Sequence, residues 1–300
     1  MADSIFIESG KGIKSNTGIW YKCLEPIGAG GNAATFLVLC TSGQSKGLLF
    51  AMKVFRKLSK PERRDSFFGE ISFLKSTNHP SIMRVFDEGL YYEYPFVVAE
   101  YLPETFRQVI RNPPSIVKRV SYAIQLLSGL AYLACLQPQV VHRDLKPQNV
   151  FVKGGSCVLG DFGLMKKLDG NMEIDREILK ESIGVGMPFY YRTPDLVDYA
   201  LNKCPLTTKT DVFQLGLVLA ELFTGFNPEK PAETVYDPVE LNPIGNINSP
   251  SYGAGIATLL KRMLILNPAE RPNASDLMDT FQAILFDSAM RSKELEGHAF

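Results

Sequence analysis

The sequence lacks several features that would point to common classes of protein. It has no excess of either charge, since 32 Lys and Arg residues balance 32 Asp and Glu residues, so neither nucleic acid nor an anionic membrane is expected as a partner. It has three histidines and five cysteines, and no two cysteines form a C-x-x-C pair. We therefore expect no zinc site and no disulfides, since scattered cysteines fit reduced, mostly buried thiols in the cytoplasm.

Long apolar runs are also missing. The longest, residues 215–223, is interrupted by Glu221 and is far shorter than the roughly 20 residues that a membrane helix requires. Residues 1–4 contain no basic segment that leads into an apolar one, so no signal peptide is expected. These absences predict a soluble, cytoplasmic protein with no membrane partner.

The pattern of the chain changes after the first hundred residues. A length of 300 residues is long for one core and suits two packed lobes. Apolar and β-branched stretches predict a small antiparallel sheet, interrupted by one helix at residues 61–76 in which Phe67, Ile71 and Leu74 have helical spacing. The predicted strands are residues 19–27, 33–41, 48–55, 85–90 and 94–102.

Long helices are predicted from residue 115 onward, where Ile116, Val120 and Ile124 begin a continuous apolar stripe. Residues 212–220 are apolar on nearly every side, which predicts a helix that is buried all round. The rest is predicted as loop at 225–255, helices at 256–265 and 273–286, and a frayed polar tail. The predicted fold class is α+β, with a small sheet lobe and a larger, mainly helical lobe.

Two short motifs carry the chemistry. An HRDLKPQN run that ends at Asn149 is followed twelve residues later by a DFG run that begins at Asp161. Transfer of a γ-phosphoryl group needs metal ligands, a cation and a residue that orients the hydroxyl. Asp161 would hold Mg²⁺ at the β- and γ-phosphates with Asn149 as a second ligand, Asp144 would accept the hydroxyl proton, and Lys146 would reach the γ-phosphate. The alternatives are an ordinary turn and a solvated polar loop, but together the motifs predict phosphoryl transfer.

Three signals in the first lobe fit the same chemistry. Lys53 lies at the centre of a predicted strand, and Glu70 lies on the inner face of the predicted helix. A carboxylate among apolar side chains needs a cationic partner, so the two are predicted to pair, with Lys53 facing the α- and β-phosphates. A solvated lysine and a surface glutamate are the alternatives. The glycine cluster at 28–32 would let backbone amides approach phosphate, although such a turn is also typical of a hairpin.

Taken in order, these residues resemble the eukaryotic-type protein kinase family over about residues 18–286. The resemblance implies a two-lobed protein kinase fold that uses ATP and Mg²⁺ and acts on a protein substrate. Lys146 implies transfer to serine and threonine, including autophosphorylation. The implied domains are an N-lobe at 18–102 and a C-lobe at 103–286, with an N-terminal extension at 1–17 and a C-terminal tail at 287–300.

The resemblance also implies roles for single residues. The catalytic set is Lys53, Glu70, Asp144, Lys146 and Asn149, and the metal ligands are Asn149 and Asp161. The ATP-binding set is Ile27, Gly28, Gly30, Thr35, Ala51, Lys53, Ala99, Glu100, Leu102 and Phe151, in which residues 100–102 form the hinge for adenine. Asp211 is implied to anchor the catalytic loop, and Asp195 and Arg271 to form an ion pair. The implied hydrophobic spine is Leu74, Val85, His142 and Phe162.

The chain departs from the family pattern at several positions. Ala33 replaces the third loop glycine and Thr35 replaces a valine, which implies a stiffer loop and a more polar roof over adenine. Ala99 replaces a bulky gatekeeper and implies an extra pocket behind adenine. Phe151 replaces the usual aliphatic floor, and Met187 stands nearest to a threonine that serine/threonine kinases use to bond the catalytic Asp and Lys. The rival interpretations are a pseudokinase scaffold, a dual-specificity or tyrosine kinase, and a small-molecule kinase.

A regulatory site is predicted beside the catalytic loop. Arg143, directly before Asp144, predicts a cationic pocket for a phosphate on the activation segment. Ser182 is the predicted phosphorylation site, because it is the only serine or threonine between Gly163 and Arg192. The alternative is that a carboxylate supplies the negative charge, from Glu173, Glu177 or Glu181.

Overall fold

The computed structural model describes residues 5–30, 32–58, 61–168, 179, 191–234, 236–249 and 252–297, with side chains of the last helix described to residue 287. The chain forms two compact units, Met1–Pro103 and Glu104–Phe300, here called the sheet unit and the helical unit. Ser182, its three neighbouring glutamates and Met187 lie outside the described residues. Within the described ranges, no helix combines the length and the apolar character needed to cross a membrane.

The sheet unit is built on six antiparallel strands. They are β1 Gly12–Lys14, β2 Trp20–Ala29, β3 Ala33–Cys40, β4 Leu49–Phe55, β5 Val85–Tyr91 and β6 Tyr94–Glu100, in the order β1-β2-β3-β4-β6-β5. One helix, α1 (Pro61–Ser76), lies between β4 and β5 in sequence. The predicted antiparallel sheet with one helix is confirmed. The sequence pattern did not predict β1, because three residues that include a glycine are too short to show an alternation.

Both faces of this sheet carry buried apolar side chains. Met52 and Val54 belong to the cluster on one face, whereas Phe55 packs with Phe67 of α1 on the other. Successive residues of a strand point to opposite faces. Lys53, between Met52 and Val54, therefore points to the face that α1 covers.

The described part of residues 1–17, predicted as an extension, packs against this sheet. Ile7 and Ile13 are each 3% exposed within its core. The Thr17 hydroxyl donates to Asp87 Oδ2 at 2.6 Å, and β1 pairs with β2. The folded part of the sheet unit therefore begins before residue 18.

The helical unit contains six described helices and five short strands. The helices are α2 Phe106–Arg111, α3 Ile116–Cys135, α4 Pro194–Ala200, α5 Lys209–Thr224, α6 Gly253–Met263 and α7 Ala274–Gly297. The strands are β7 Glu104–Thr105, β8 Val140–Val141, β9 Val150–Lys153, β10 Ser156–Leu159 and β11 Lys166–Lys167, paired as β10-β9-β7 and β11-β8. The mainly helical character predicted for this part is confirmed.

Helix α5 is the buried helix that the apolar run predicted. Every residue from 210 to 223 is buried. The helix ends where Gly225 adopts the left-handed conformation (φ 82°) and its N–H donates to the Glu221 carbonyl oxygen, a conformation that glycine adopts without a Cβ penalty. A helix surrounded by protein can hold buried polar side chains against neighbouring loops.

The predicted frayed tail is wrong as a description of the backbone. Helix α7 continues past residue 286 to Gly297. The reason is local, because no glycine or proline occurs between Ala274 and Gly297, and residues 289–296 are mostly strong helix formers such as Ala, Met, Arg, Lys, Glu and Leu. The lack of an apolar stripe therefore did not signal the end of the helix.

Candidate active site

In the sheet unit, Lys53 of β4 and Glu70 of α1 form a close ion pair. Lys53 Nζ lies 2.8 Å from Glu70 Oε1 and 3.0 Å from Oε2. The Glu70 side chain is 4% exposed and the Lys53 side chain 24% exposed. Lys53 Nζ also lies 5.9 Å from the ring centroid of Phe67, within the range of a cation–π contact. The structure thus brings the two predicted partners together and leaves the ammonium partly accessible.

The glycine turn joins β2 to β3. Gly28 pairs with Thr35, and the Gly30 N–H donates to the Ala33 carbonyl oxygen at 2.9 Å. Ile27, Gly28 and Gly30 are exposed. A Cβ added to either glycine would come no closer than 3.9 Å to the nearest described atom outside its neighbours, Thr35 Cβ or the Ala33 carbonyl oxygen. The packing of the described residues therefore does not require glycine at either position.

The other nucleotide residues predicted in the sheet unit lie on β4, β6 and the segment after β6. Ala51 pairs with Ala99, which is 7% exposed. Glu100 ends β6, and its Oε1 accepts the Arg84 N–H at 3.2 Å. Leu102 is buried. Two alanines paired across β4 and β6 place little side-chain volume at this point of the sheet. The extra pocket predicted from Ala99 stays a prediction.

In the helical unit, three predicted residues meet around one carboxylate. Lys146 Nζ donates to Asp144 Oδ1 and Oδ2 at 3.0 and 2.9 Å. Asn149 Nδ2 donates to Asp144 Oδ2 and to the Asp144 carbonyl oxygen, each at 2.8 Å. The pKa of Asp144 is raised to about 6, mainly by burial; Lys146 opposes this rise and Asp161 adds to it. Asp144 is thus a carboxylate with a proton affinity close to the neutral range.

The β9–β10 hairpin explains why Asn149 and Asp161 belong together despite their separation in sequence. Val150 at the start of β9 pairs with Leu159 at the end of β10. Asn149 therefore stands directly before one strand and Asp161 two residues after the other, at the same end of the hairpin. The Gly160 N–H donates to the Asn149 carbonyl oxygen at 2.9 Å, and Asp161 is exposed with a φ of 55°. Phe151, on β9, pairs with Val158 and Thr105.

Asp211 of α5 holds the main chain that precedes Asp144. Its two carboxylate oxygens accept the N–H groups of His142 at 2.7 Å and Arg143 at 2.9 Å. Burial raises the pKa of Asp211 to about 7, while these two amide donors act in the opposite direction. The predicted anchor is therefore in contact with the loop it was predicted to anchor.

His142 is a neutral, buried link within this loop. Its Nδ1 accepts the Asp144 N–H at 3.3 Å, and its Nε2 lies 3.0 Å from the Gly160 carbonyl oxygen. Because a carbonyl only accepts, Nε2 carries the proton. Burial lowers the pKa of His142 to about 4, and its ring lies 4.4 Å from that of Phe162. Of the other predicted spine residues, Leu74 is buried and Val85 half-buried within the sheet unit.

Three further residues with predicted structural roles, Arg143, Asp195 and Arg271, are buried in the helical unit. Arg143 is 2% exposed, and its guanidinium donates to the carbonyl oxygens of Leu164 and Met165, just after the DFG run. Arg271 Nη2 lies 3.2 Å from Asp195 Oδ1, with side chains 0% and 2% exposed. The predicted phosphate pocket at Arg143 stays a prediction, because Ser182 lies outside the described residues.

Sequence reasoning missed other polar contacts that support this site. Arg192 forms a buried ion pair with Glu229, with Nε 3.0 Å from Oε1. Gln214 of α5 hydrogen-bonds the loop around Asp144. A signal for Gln214 was present, because an amide inside an apolar run on a buried helix must find hydrogen-bond partners.

Comparisons with known proteins place the chain in a family. A family model, the protein kinase domain, matches residues 21–281. Among similar curated proteins, serine/threonine-protein kinase PAK mbt of Drosophila melanogaster is 26% identical over 254 residues, which is 83% of this chain and 38% of that protein. Serine/threonine-protein kinase Nek1 of Mus musculus is 26% identical over 270 residues, 86% of this chain and 21% of that protein. The chain thus spans well under half the length of these relatives.

Proposed function

This chain belongs to the protein kinase domain family, and we propose that it is an ATP- and Mg²⁺-dependent kinase that phosphorylates serine and threonine residues of proteins. The observation that carries the proposal is the cluster of Asp144, Lys146 and Asn149, held by Asp211 on the buried helix α5. The names of the relatives support serine and threonine as acceptors. Residues 18–286 are the proposed catalytic domain, and the cytoplasm, where the free cysteines would stay reduced, is its proposed location.

Asp144 is the proposed proton acceptor. Phosphoryl transfer asks mainly for positioning and charge stabilisation, and the incoming hydroxyl must lose its proton as it reacts. A carboxylate with a pKa of about 6 is mostly ionised at neutral pH and still binds a proton well. Lys146, bonded to both oxygens of Asp144, is placed to neutralise charge on a transferred phosphoryl group.

Asn149 and Asp161 are the proposed Mg²⁺ ligands. The Asn149 side chain makes both of its described hydrogen bonds through Nδ2. The Oδ1 atom is therefore the one proposed to bind the metal. Asp161 offers an exposed carboxylate, and Mg²⁺ prefers oxygen ligands together with phosphate oxygens and water. When bound, the ion would neutralise charge on the β- and γ-phosphates. These donors therefore fit Mg²⁺.

In the sheet unit, Lys53 is the proposed partner of the α- and β-phosphates, oriented by Glu70. The exposed backbone at Gly28 and Gly30 is proposed to lie over the phosphates. Ile27, Thr35, Ala51, Ala99, Glu100, Leu102 and Phe151 are the proposed contacts of the nucleoside.

The test is to incubate the purified protein with Mg²⁺, ATP and a general protein substrate, and to map phosphorylated residues by mass spectrometry. We expect phosphoserine and phosphothreonine on the substrate and phosphate on Ser182 of the chain itself. Asp161→Asn should abolish transfer, whereas Asp198→Asn, which changes an exposed aspartate of α4, should not. Binding of ATP without any transfer would overturn the proposal in favour of a nucleotide-bound scaffold.

A further inference from the structure

Gln214 is one of the polar residues that are buried on helix α5. It is 1% exposed, and its neighbours Phe213 and Leu215 are 0% exposed. Burying a carboxamide without hydrogen-bond partners is costly, so the hydrogen bonds of the Gln214 side chain decide whether it can stay there.

All the described hydrogen bonds of Gln214 go to main-chain groups. Its Oε1 accepts the Leu145 N–H at 3.0 Å. Its Nε2 donates to the carbonyl oxygens of Arg143 at 3.1 Å and Tyr191 at 2.9 Å. The Arg143 carbonyl belongs to the peptide group before Asp144, and the Leu145 N–H belongs to the peptide group after it. One side chain therefore holds both peptide groups that flank Asp144.

Asp211 and Gln214 act on the same stretch of main chain from neighbouring positions of α5. They are three residues apart, so they lie on the same face of the helix. Asp211 binds the Arg143 N–H and Gln214 binds the Arg143 carbonyl oxygen. Arg143 has a φ of 69°, a conformation that is unfavourable for a residue with a side chain and persists only where the surroundings hold it. Asp211 and Gln214 stabilise this conformation, because one binds the N–H and the other the carbonyl oxygen of Arg143.

Tyr191, the third residue that the Gln214 side chain binds, lies in another part of the helical unit. Tyr191 also has a positive φ, 67°, and stands three residues before α4. Its hydroxyl hydrogen-bonds Glu221, seven residues after Gln214 on α5, while its carbonyl oxygen accepts from Gln214. Gln214 thus joins the main chain at Asp144 to the main chain at Tyr191.

We propose that Gln214 is a positioning residue for phosphoryl transfer, whose carboxamide fixes the two peptide groups beside Asp144 and couples them to the main chain at Tyr191. The inference rests on the proposed function, in which Asp144 accepts the proton. A misplacement of about 1 Å in a reacting group can cost on the order of a hundredfold in rate, so the loss of this hold should appear in kcat.

The test compares Gln214→Met with Gln125→Met. Gln125 is the matched control, because it also uses a helical carboxamide to bind two main-chain groups, the Cys157 N–H at 2.8 Å and the Gly155 carbonyl oxygen at 3.2 Å, at the turn of the β9–β10 hairpin. Gln214→Met should lower kcat by roughly ten- to a hundredfold with the KM for ATP changed by less than about twofold. Gln125→Met should leave kcat unchanged. Equal kcat losses in both variants, or an unchanged kcat in folded Gln214→Met, would overturn the inference.

A second measurement does not depend on activity. Hydrogen exchange of the Leu145 amide should be at least about tenfold faster in Gln214→Met than in the wild type, and unchanged in Gln125→Met. If the wild type transfers no phosphate, the proposed function fails, while faster exchange at Leu145 alone would still support the positioning of Asp144. Unchanged exchange would overturn that positioning whatever the activity.

Gln214→Glu covers the case in which Gln214→Met does not fold. It keeps an acceptor for the Leu145 N–H, but a carboxyl group supplies at most one proton to the carbonyls of Arg143 and Tyr191. We expect a kcat between those of the wild type and Gln214→Met, or below the wild type if only Gln214→Glu folds. A wild-type kcat in Gln214→Glu would contradict a role for the two donated bonds.

Discussion

The two units hold their proposed functional groups in different ways. In the sheet unit, the contact that places Lys53 is between side chains, since Glu70 binds its ammonium group. In the helical unit, the main chain on both sides of Asp144 is held by α5, through Asp211 and Gln214. The comparison teaches that a charge on a long side chain depends on its partner, whereas a carboxylate on a short side chain depends on its backbone.

The largest effect should come from Asp144→Asn. We expect a loss of activity of roughly a hundred- to ten-thousandfold, the usual contribution of a general base, with almost no change in Tm because the main-chain bonds to α5 remain. Steady-state kinetics and thermal unfolding measure the two effects. A variant that keeps more than a tenth of the activity would show that Asp144 is not the proton acceptor.

The next prediction compares how much stability is lost when a buried and an exposed ion pair of the helical unit are broken. Arg271→Met leaves Asp195 buried without its cation and should lower the free energy of unfolding by about 3–5 kcal/mol. Lys203→Met, which breaks an exposed pair with Asp198, should cost only about 0–1 kcal/mol. Denaturant unfolding gives both values, and equal costs would contradict the burial argument.

In the sheet unit, Lys53→Met should separate stability from function. It removes the ammonium group that binds the buried Glu70 carboxylate, and we expect a loss of about 1–3 kcal/mol in stability together with a loss of activity. Adding Glu70→Leu should restore the stability but not the activity. If the double variant regained activity, Lys53 would have no role beyond neutralising Glu70.

The pH profile should report the buried carboxylate of the helical unit. The proton acceptor must be ionised, so kcat/KM should fall about tenfold per pH unit below about pH 6 and level off above it. Lys146→Met removes the cation that lowers the pKa of Asp144, so the midpoint should move to higher pH. A midpoint that stays in place would mean that another group titrates.

The smallest expected effect concerns the paired alanines of the sheet unit. An ATP-site inhibitor with a large rear substituent should bind the wild type about tenfold more tightly than Ala99→Met, because a methionine would fill the space left by alanine. Inhibitor Kd values, with ATP affinity as the control, test this. Matching affinities would show that no rear space exists.

The sequence predicted most of the fold because its elements carry strong local signals. Helix α1 has the predicted bounds, and the buried helix lies where the apolar run indicated. Short elements were not predicted. Strand β1 has only three residues, and it is stabilised by its pairing with β2, which the local sequence does not show. The length of α7 was missed because helix propensity, and not an apolar stripe, carries its last turns.

The candidate site was predictable as a list of residues but not as a set of contacts. The motifs named Asp144, Lys146, Asn149 and Asp161 because phosphoryl transfer needs those chemical groups. They did not name Gln214, whose role depends on which loop packs against α5. A polar residue in an apolar run signals that a partner exists, but it does not identify that partner.

The sequence by itself determined the chemistry that is available and the helices and strands that carry it, because residue types and periodicity are local properties. Only the tertiary structure decided that Asp211 and Gln214 hydrogen-bond the main chain around Asp144, and that the pKa of Asp144 rises to about 6. Both outcomes depend on burial and on hydrogen bonds between residues about 70 positions apart, which no local pattern of the chain encodes.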